Sequence, residues 1–144
     1  TNQKGTITGL YTVLVDGDDL NEPIADAVRG ILDGHIVLSR ELAAQNHYPA
    51  VDVLNSVSRV MIDIVSKRHL SCASKMRSIL ATYREAKDMI EIGAYRHGTN
   101  QKIDEAIRMH EQCNSFLRQG IWEKFSFHET QQLLEKLFPE VEQS

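Results

Sequence analysis

The sequence predicts an α/β segment followed by an all-α module, and three observations predict it. β-branched residues cluster before about residue 65, at Ile7, Thr8, Thr12, Val13, Val15, Ile36 and Val37. Beyond that point apolar residues recur at three- and four-residue spacing, the period of a helix face. Glycine and proline, which punctuate turns, become sparse over the same stretch.

Gly5–Val15 reads as a strand, apolar on both faces in its second half, as in a central strand covered by helices. Asp16-Gly17-Asp18-Asp19 reads as a turn. Pro23 opens a helix carrying Ile24, Val28, Ile31 and Leu32, with Gly34 just past its end. Ile36–Leu38 reads as a second strand, and strand, helix and strand together suggest a parallel βαβ unit. Two strands do not make a stable sheet, so this segment is expected to be the last part of a larger α/β domain.

Leu70, Ala73, Met76, Leu80, Tyr83 and Ile90 predict a long amphipathic helix over residues 69–92, broken by Gly93 to Asn100. Ile103, Ala106, Ile107, Cys113, Phe116 and Leu117 mark the next helix, ended by Gly120. Ser126 with Glu129 fits a capping box before Leu133, Leu134, Leu137 and Phe138, and Pro139 stops that helix. These helices are expected to form a core by themselves, the strand-rich half being tied down by self-association or by the rest of a parent protein.

The 144 residues are one domain's worth, or a piece of a larger protein. No apolar run approaches the roughly 18 residues of a membrane helix, and no signal peptide opens the chain. Sixteen basic against 20 acidic residues give a net charge of −4, which argues against a nucleic-acid binder. Cys72 and Cys113, far apart and outside any CxxC motif, read as buried free thiols of a reducing cytoplasm. GxxxxGK[ST], GxGxxG and HExxH are all absent. The six histidines are too scattered for a metal site, and no nucleophile elbow supports a catalytic triad. By itself the chain carries no complete catalytic constellation.

Four blocks carry a resemblance. They are Gly5-Thr6-Ile7-Thr8 running into Tyr11-Thr12-Val13-Leu14-Val15, Leu32-Asp33-Gly34-His35-Ile36-Val37-Leu38-Ser39-Arg40, His47-Tyr48-Pro49-Ala50-Val51-Asp52, and Ser56-Val57-Ser58-Arg59. In order and spacing they closely resemble the C-terminal part of the export ATPase of flagella and type III secretion systems, itself similar to rotary ATP synthase catalytic subunits. The match is near-continuous from Gly5 to about Ile62. It is looser from Leu70 to Gln119, where Ile92-Gly93-Ala94-Tyr95, Gly98, Asp104-Glu105-Ala106-Ile107 and Phe116-Leu117-Arg118-Gln119 fit.

The resemblance implies the C-terminal part of a RecA-like P-loop ATPase core over residues 1–65 and a helical C-terminal domain over 66–144. It implies a homohexameric ATP hydrolase that energises protein export. Its phosphate-binding loop and metal-binding carboxylates would lie upstream of Thr1, so ATP with Mg2+ would be held mainly by residues outside this chain. The chain alone is then expected to be inactive. Implied partners are other copies in the ring, a central stalk protein, export chaperone–substrate complexes and a regulatory stator-like protein, with no nucleic acid. The implied location is cytoplasmic, peripheral to the inner membrane at the export gate, and the Ile92–Tyr95 block leans flagellar.

Arg59 matches the family's arginine finger, which acts in trans on the γ-phosphate bound by a neighbouring subunit. A planar guanidinium suits the equatorial phosphate oxygens of phosphoryl transfer. From spacing alone, an Arg after Ser-Val-Ser reads as a surface ion-pair former. Tyr48 matches the aromatic that stacks on adenine, where the residues alone suggest a half-buried packing tyrosine. Ile121 and Trp122 are both candidates for the opposite wall of the adenine pocket. The loop Tyr95–Lys102 matches by position the lever loop that touches the central stalk, through Tyr95, Arg96, His97 and Lys102. It carries no acid and suits an acidic partner, or else is a solvated helix–helix turn. That loop and Asp33-Gly34-His35 argue against the alternative of a rotary synthase catalytic subunit. The other alternative is a non-enzymatic helical adaptor with an ATPase-like tail.

Overall fold

The computed structural model describes residues 5–15, 17 and 22–141. They fall into two compact units, Thr1–Asp33 and Gly34–Ser144.

In the first unit the expected strand Gly5–Val15 does not form. Among the described residues no strand lies beside it, and Leu10 and Leu14 are 95% and 93% exposed. A strand is stabilised by its ladder and by cover over its apolar faces, and this segment has neither. Of the expected turn, only Gly17 is described, with a φ of +62°; Asp16, Asp18 and Asp19 lie outside the described residues. Helix α1, Pro23–Ile31, starts at its proline as expected, and the Leu32 N–H closes it onto the Val28 carbonyl.

The second unit opens with strand β1, Gly34–His35, helix α2, Arg40–Ala44, strand β2, Val57–Ser58, and helix α3, Met61–Ile64. β1 pairs with β2 antiparallel, Gly34 opposite Ser58 and His35 opposite Val57. The expected parallel βαβ unit is therefore absent: without a strand at Gly5–Val15 there is nothing for a crossover to return to. The strand placed at Ile36–Leu38 is reduced to a bridge between Leu38 and Val51.

Three helices follow: α4 Lys67–Glu91, α5 Gln101–Leu117 and α6 Phe127–Leu137. Each starts on a side-chain cap. Ser66 accepts from the His69 N–H, Asn100 from Lys102 and Ile103, and Ser126 forms the full capping box with Glu129. Their shared core is Cys72, Met76, Ile79, Ala106, Met109, Cys113, Leu134 and Phe138. Of the expected face of α4, Met76 is buried in this core and Ala73, Leu80 and Tyr83 pack against it partly buried, while Cys72, Ile79 and Ala86 are buried beside them and Leu70 and Ile90 are only partly covered. Cys72, Ala106 and Cys113 are fully buried in the core, the last two on the face the sequence marks for α5. Both cysteines are free and buried, and burial pushes the Cys113 thiol up to about 11. Arg68–Glu135 and Lys75–Glu105 ion pairs tie α4 to α6 and α5 at the margins. Among the described residues no helix is long and apolar enough to cross a membrane.

Candidate functional site

Arg59 leaves a loop whose backbone is almost fully pinned. Asp52 begins it: its carboxylate accepts the Leu54 and Asn55 N–H groups at 3.0 and 3.1 Å and the Asn55 side-chain amide at 2.8 Å. Such an Asx-type turn fixes the backbone for the next three residues. Arg84 of α4 completes the shell, its Nη2 donating to both carboxylate oxygens at 3.0 and 3.2 Å. Burial pushes the Asp52 carboxyl up, but bonds from Arg84 and Asn55 and the Arg84 charge outweigh it. Its pKa ends below the ordinary value.

The carbonyls that follow are held in turn. Asp52 O accepts from the Ser56 N–H and hydroxyl, and Ser56 Oγ accepts from Val37 N–H at 3.0 Å. Arg77 of α4 donates Nη1 to Val53 O and Ser56 O, and Nη2 to Leu54 O at 3.2 Å. His35 donates Nε2–H to Asn55 O at 3.1 Å; a carbonyl only accepts, so this nitrogen carries the proton. Val57 and Ser58 then pair with β1. A Cβ on Gly34 would lie 2.6 Å from Val57 O, so only glycine allows this approach. Arg59 follows at once and is exposed.

Tyr48 sits on a second loop after α2. Asn46 takes a φ of +56°, a region asparagine tolerates, and the Tyr48–Pro49 peptide is cis. His47 is buried beneath, its N–H on Leu42 O; burial and the Arg118 charge hold its pKa below the usual value. Tyr48 itself is 52% exposed, and its carbonyl accepts the Gln119 N–H at 2.8 Å. That bond ties the Tyr48 loop to the turn after α5. The turn is closed by Gly120 N–H on Glu123 Oε2 at 2.7 Å and by the Gln119 side chain on Glu123 O at 2.6 Å. Ile121 and Trp122 form its tip, 91% and 90% exposed.

The Tyr95–Lys102 loop is internally braced. The Tyr95 hydroxyl, with one proton to donate, lies 2.9 Å from both Asn100 O and Asp104 Oδ1, and Gly98 N–H donates to Asp104 Oδ2. Asp104 also lies 3.6 Å from His97 Nε2. Tyr95 thus shapes the loop; Arg96 and His97 are exposed on it, and Lys102, expected in the loop, is exposed in the first turn of α5. Among the described residues no cluster of His, Cys, Asp or Glu could hold a metal ion.

Residues 65–136 match the family described as the T3SS EscN ATPase C-terminal domain, half of the chain. The chain belongs to this family. Residues 1–58 match the nucleotide-binding domain of the ATP synthase alpha/beta family. The fold is thus the tail of a RecA-like ATPase core followed by a helical domain. A flagellum-specific ATP synthase of Bacillus subtilis (strain 168) is 60% identical over 83% of the chain, which covers 27% of that protein. A type 3 secretion system ATPase of Pseudomonas syringae pv. syringae is 42% identical over 90% of the chain and 29% of its own length. The assembled ATPase EscN in complex with its central stalk EscO, from enteropathogenic E. coli, superposes with a TM-score of 0.83. It is 41% identical over 95% of this chain and 32% of EscN. The chain therefore spans less than a third of the length of these relatives.

Sequence reasoning missed Asp52, Arg77 and Arg84 as individual residues. The available signal was that Arg77 and Arg84 stand seven apart, hence on one face of α4.

Proposed function

We propose that the full-length protein is a homohexameric ATPase that energises protein export, in flagellar assembly or type III secretion. On this reading the chain supplies Arg59 as a finger to the γ-phosphate bound by the neighbouring subunit and Tyr48 as the adenine platform. Ile121 or Trp122 closes the pocket. ATP with Mg2+ is held mainly by residues outside the chain, which alone is inactive. Residues 1–65 belong to the ATPase core and 66–144 to the helical domain, whose loop at Tyr95, Arg96, His97 and Lys102 meets an acidic surface of a central stalk. Chaperone–substrate complexes and a stator-like regulator are its further partners, and it works in the cytoplasm, peripheral to the inner membrane.

The observation that carries this reading is the identity to a flagellum-specific ATP synthase across both halves of the chain. Arg59 is supported further by its setting: it is exposed and follows directly on a hydrogen-bonded backbone, so its position in the chain is fixed before any phosphate arrives. The basic Tyr95–Lys102 loop favours an export ATPase over a rotary synthase subunit.

In the full-length protein, Arg59→Ala should leave nucleotide affinity nearly intact and lower turnover by about 10³–10⁵-fold, and Arg59→Lys should rescue poorly. Lost ATP binding with an unchanged rate per bound nucleotide would contradict the finger role.

A further inference from the structure

We infer that Arg77 and Arg84, two cations on one face of α4, are positioning residues that aim Arg59. The inference rests on the finger reading. Between Asp52 and Arg59 the chain has no helix and only the two-residue strand β2. Left alone, such a loop would sample many conformations and present its arginine diffusely. Arg77 prevents this by binding three of the loop's carbonyls, Val53, Leu54 and Ser56, with two nitrogens of one planar fork. Arg84 holds the carboxylate that starts the turn. The last carbonyl gripped by Arg77, that of Ser56, is three residues before Arg59.

The two arginines use their geometry differently, and this makes the inference testable. Arg77 needs both ends of a rigid fork to span Leu54 O and the Val53–Ser56 pair; a lysine is a point donor and cannot span them. Arg84 touches Asp52 through Nη2 alone, a task one ammonium can perform. A finger displaced by about 1 Å costs on the order of 10²-fold in rate while leaving the neighbour's nucleotide site untouched.

The test is steady-state ATPase kinetics on the full-length ring for Arg77→Ala, Arg77→Gln, Arg77→Lys, Arg84→Ala and Arg84→Lys, alone and with Arg59→Ala. Circular dichroism melting checks that each variant is folded, and Gln and Lys at position 77 keep the test open should Ala misfold. The expected result is a kcat lowered about 10²-fold by every substitution at 77, with KM for ATP nearly unchanged. Lys should restore activity at 84 and not at 77. In the Arg59→Ala background Arg77→Ala should cost nothing further, because its effect passes through the missing finger. Losses that multiply in the double variant, or Lys rescuing equally at both positions, would overturn the inference. So would a normal kcat in folded Arg77 variants alongside a slow Arg59→Ala, which would leave the finger itself standing. A normal kcat for Arg59→Ala would instead refute the finger reading and with it this one.

Discussion

Replacing Asp52 by Asn tests the anchor of the candidate site with a change of one atom. The carboxylate accepts two backbone N–H groups, the Asn55 amide and Arg84. An Asn carbonyl at Oδ1 can keep the two backbone bonds and the 3.0 Å bond from Arg84, now without the ionic charge. Its NH2, however, replaces the oxygen that accepts from the Asn55 amide and, at 3.2 Å, from the guanidinium, donor against donor. Losing the Asn55 bond costs about 1 kcal/mol. The Arg84 pair adds about 1 kcal/mol rather than more, because Arg84 is half-exposed. Desolvation of the mispaired NH2 brings the total to about 2–3 kcal/mol at neutral pH. With a urea slope of about 2 kcal/mol/M, the midpoint followed by helical circular dichroism should fall by about 1–1.5 M. The pH dependence fixes the cause. The folded pKa of Asp52 lies below its ordinary value of about 3.9, so its stabilisation is full above that pH and lost as pH falls through the folded value. Asn does not titrate, so the gap between the two proteins should close below about pH 4. A variant within about 0.5 kcal/mol of the original at pH 7, or a gap that ignores pH, would refute the reasoning.

Three further outcomes are expected. Phe138 is fully buried in the three-helix core, so Phe138→Ala should cost about 3–5 kcal/mol in chemical denaturation. Ser126→Ala removes the acceptor for Glu129 N–H and a donor to its carboxylate, and should cost about 1 kcal/mol, read as a lowered Tm with helix content unchanged. In the full-length protein, Tyr48→Ala should barely change the melting temperature but weaken nucleotide affinity about 5- to 100-fold, the value of one base stack, by titration with a fluorescent nucleotide.

The helical half was legible because its signals are local. Ser126 and Glu129 marked the start of α6 to the residue, and glycine-containing segments marked the end of α4 and both ends of α5. Helices α2 and α3, of 5 and 4 residues, are too short to show a period. Gly5–Val15 shows the opposite limit: its β-branched pattern is a strand pattern, but a strand needs a neighbour and the described residues provide none. In α4 the spacing found Met76 and missed Cys72, Ile79 and Ala86, because one ladder of three- and four-residue steps traces only part of an apolar stripe about 100° wide. Arg59 and Tyr48 stood out only by resemblance; nothing in their own spacing separates them from surface residues. The spacing of Arg77 and Arg84 places them on one face of α4, but what Arg77 binds was not legible, because its partners are carbonyl oxygens 21–24 residues away, and every residue has one.

The central claim, that Arg59 completes the site of a neighbour, is tested most directly by mixing two defective subunits of the full-length protein. One carries Arg59→Ala and still binds nucleotide; the other keeps Arg59 and has been made unable to bind nucleotide. Neither ring alone should hydrolyse ATP appreciably. In randomly mixed rings of equal parts, about a quarter of the interfaces pair an intact nucleotide site with an intact Arg59, so ATPase activity should reappear on mixing. Mixed rings that assemble and stay as inactive as either parent would contradict the claim.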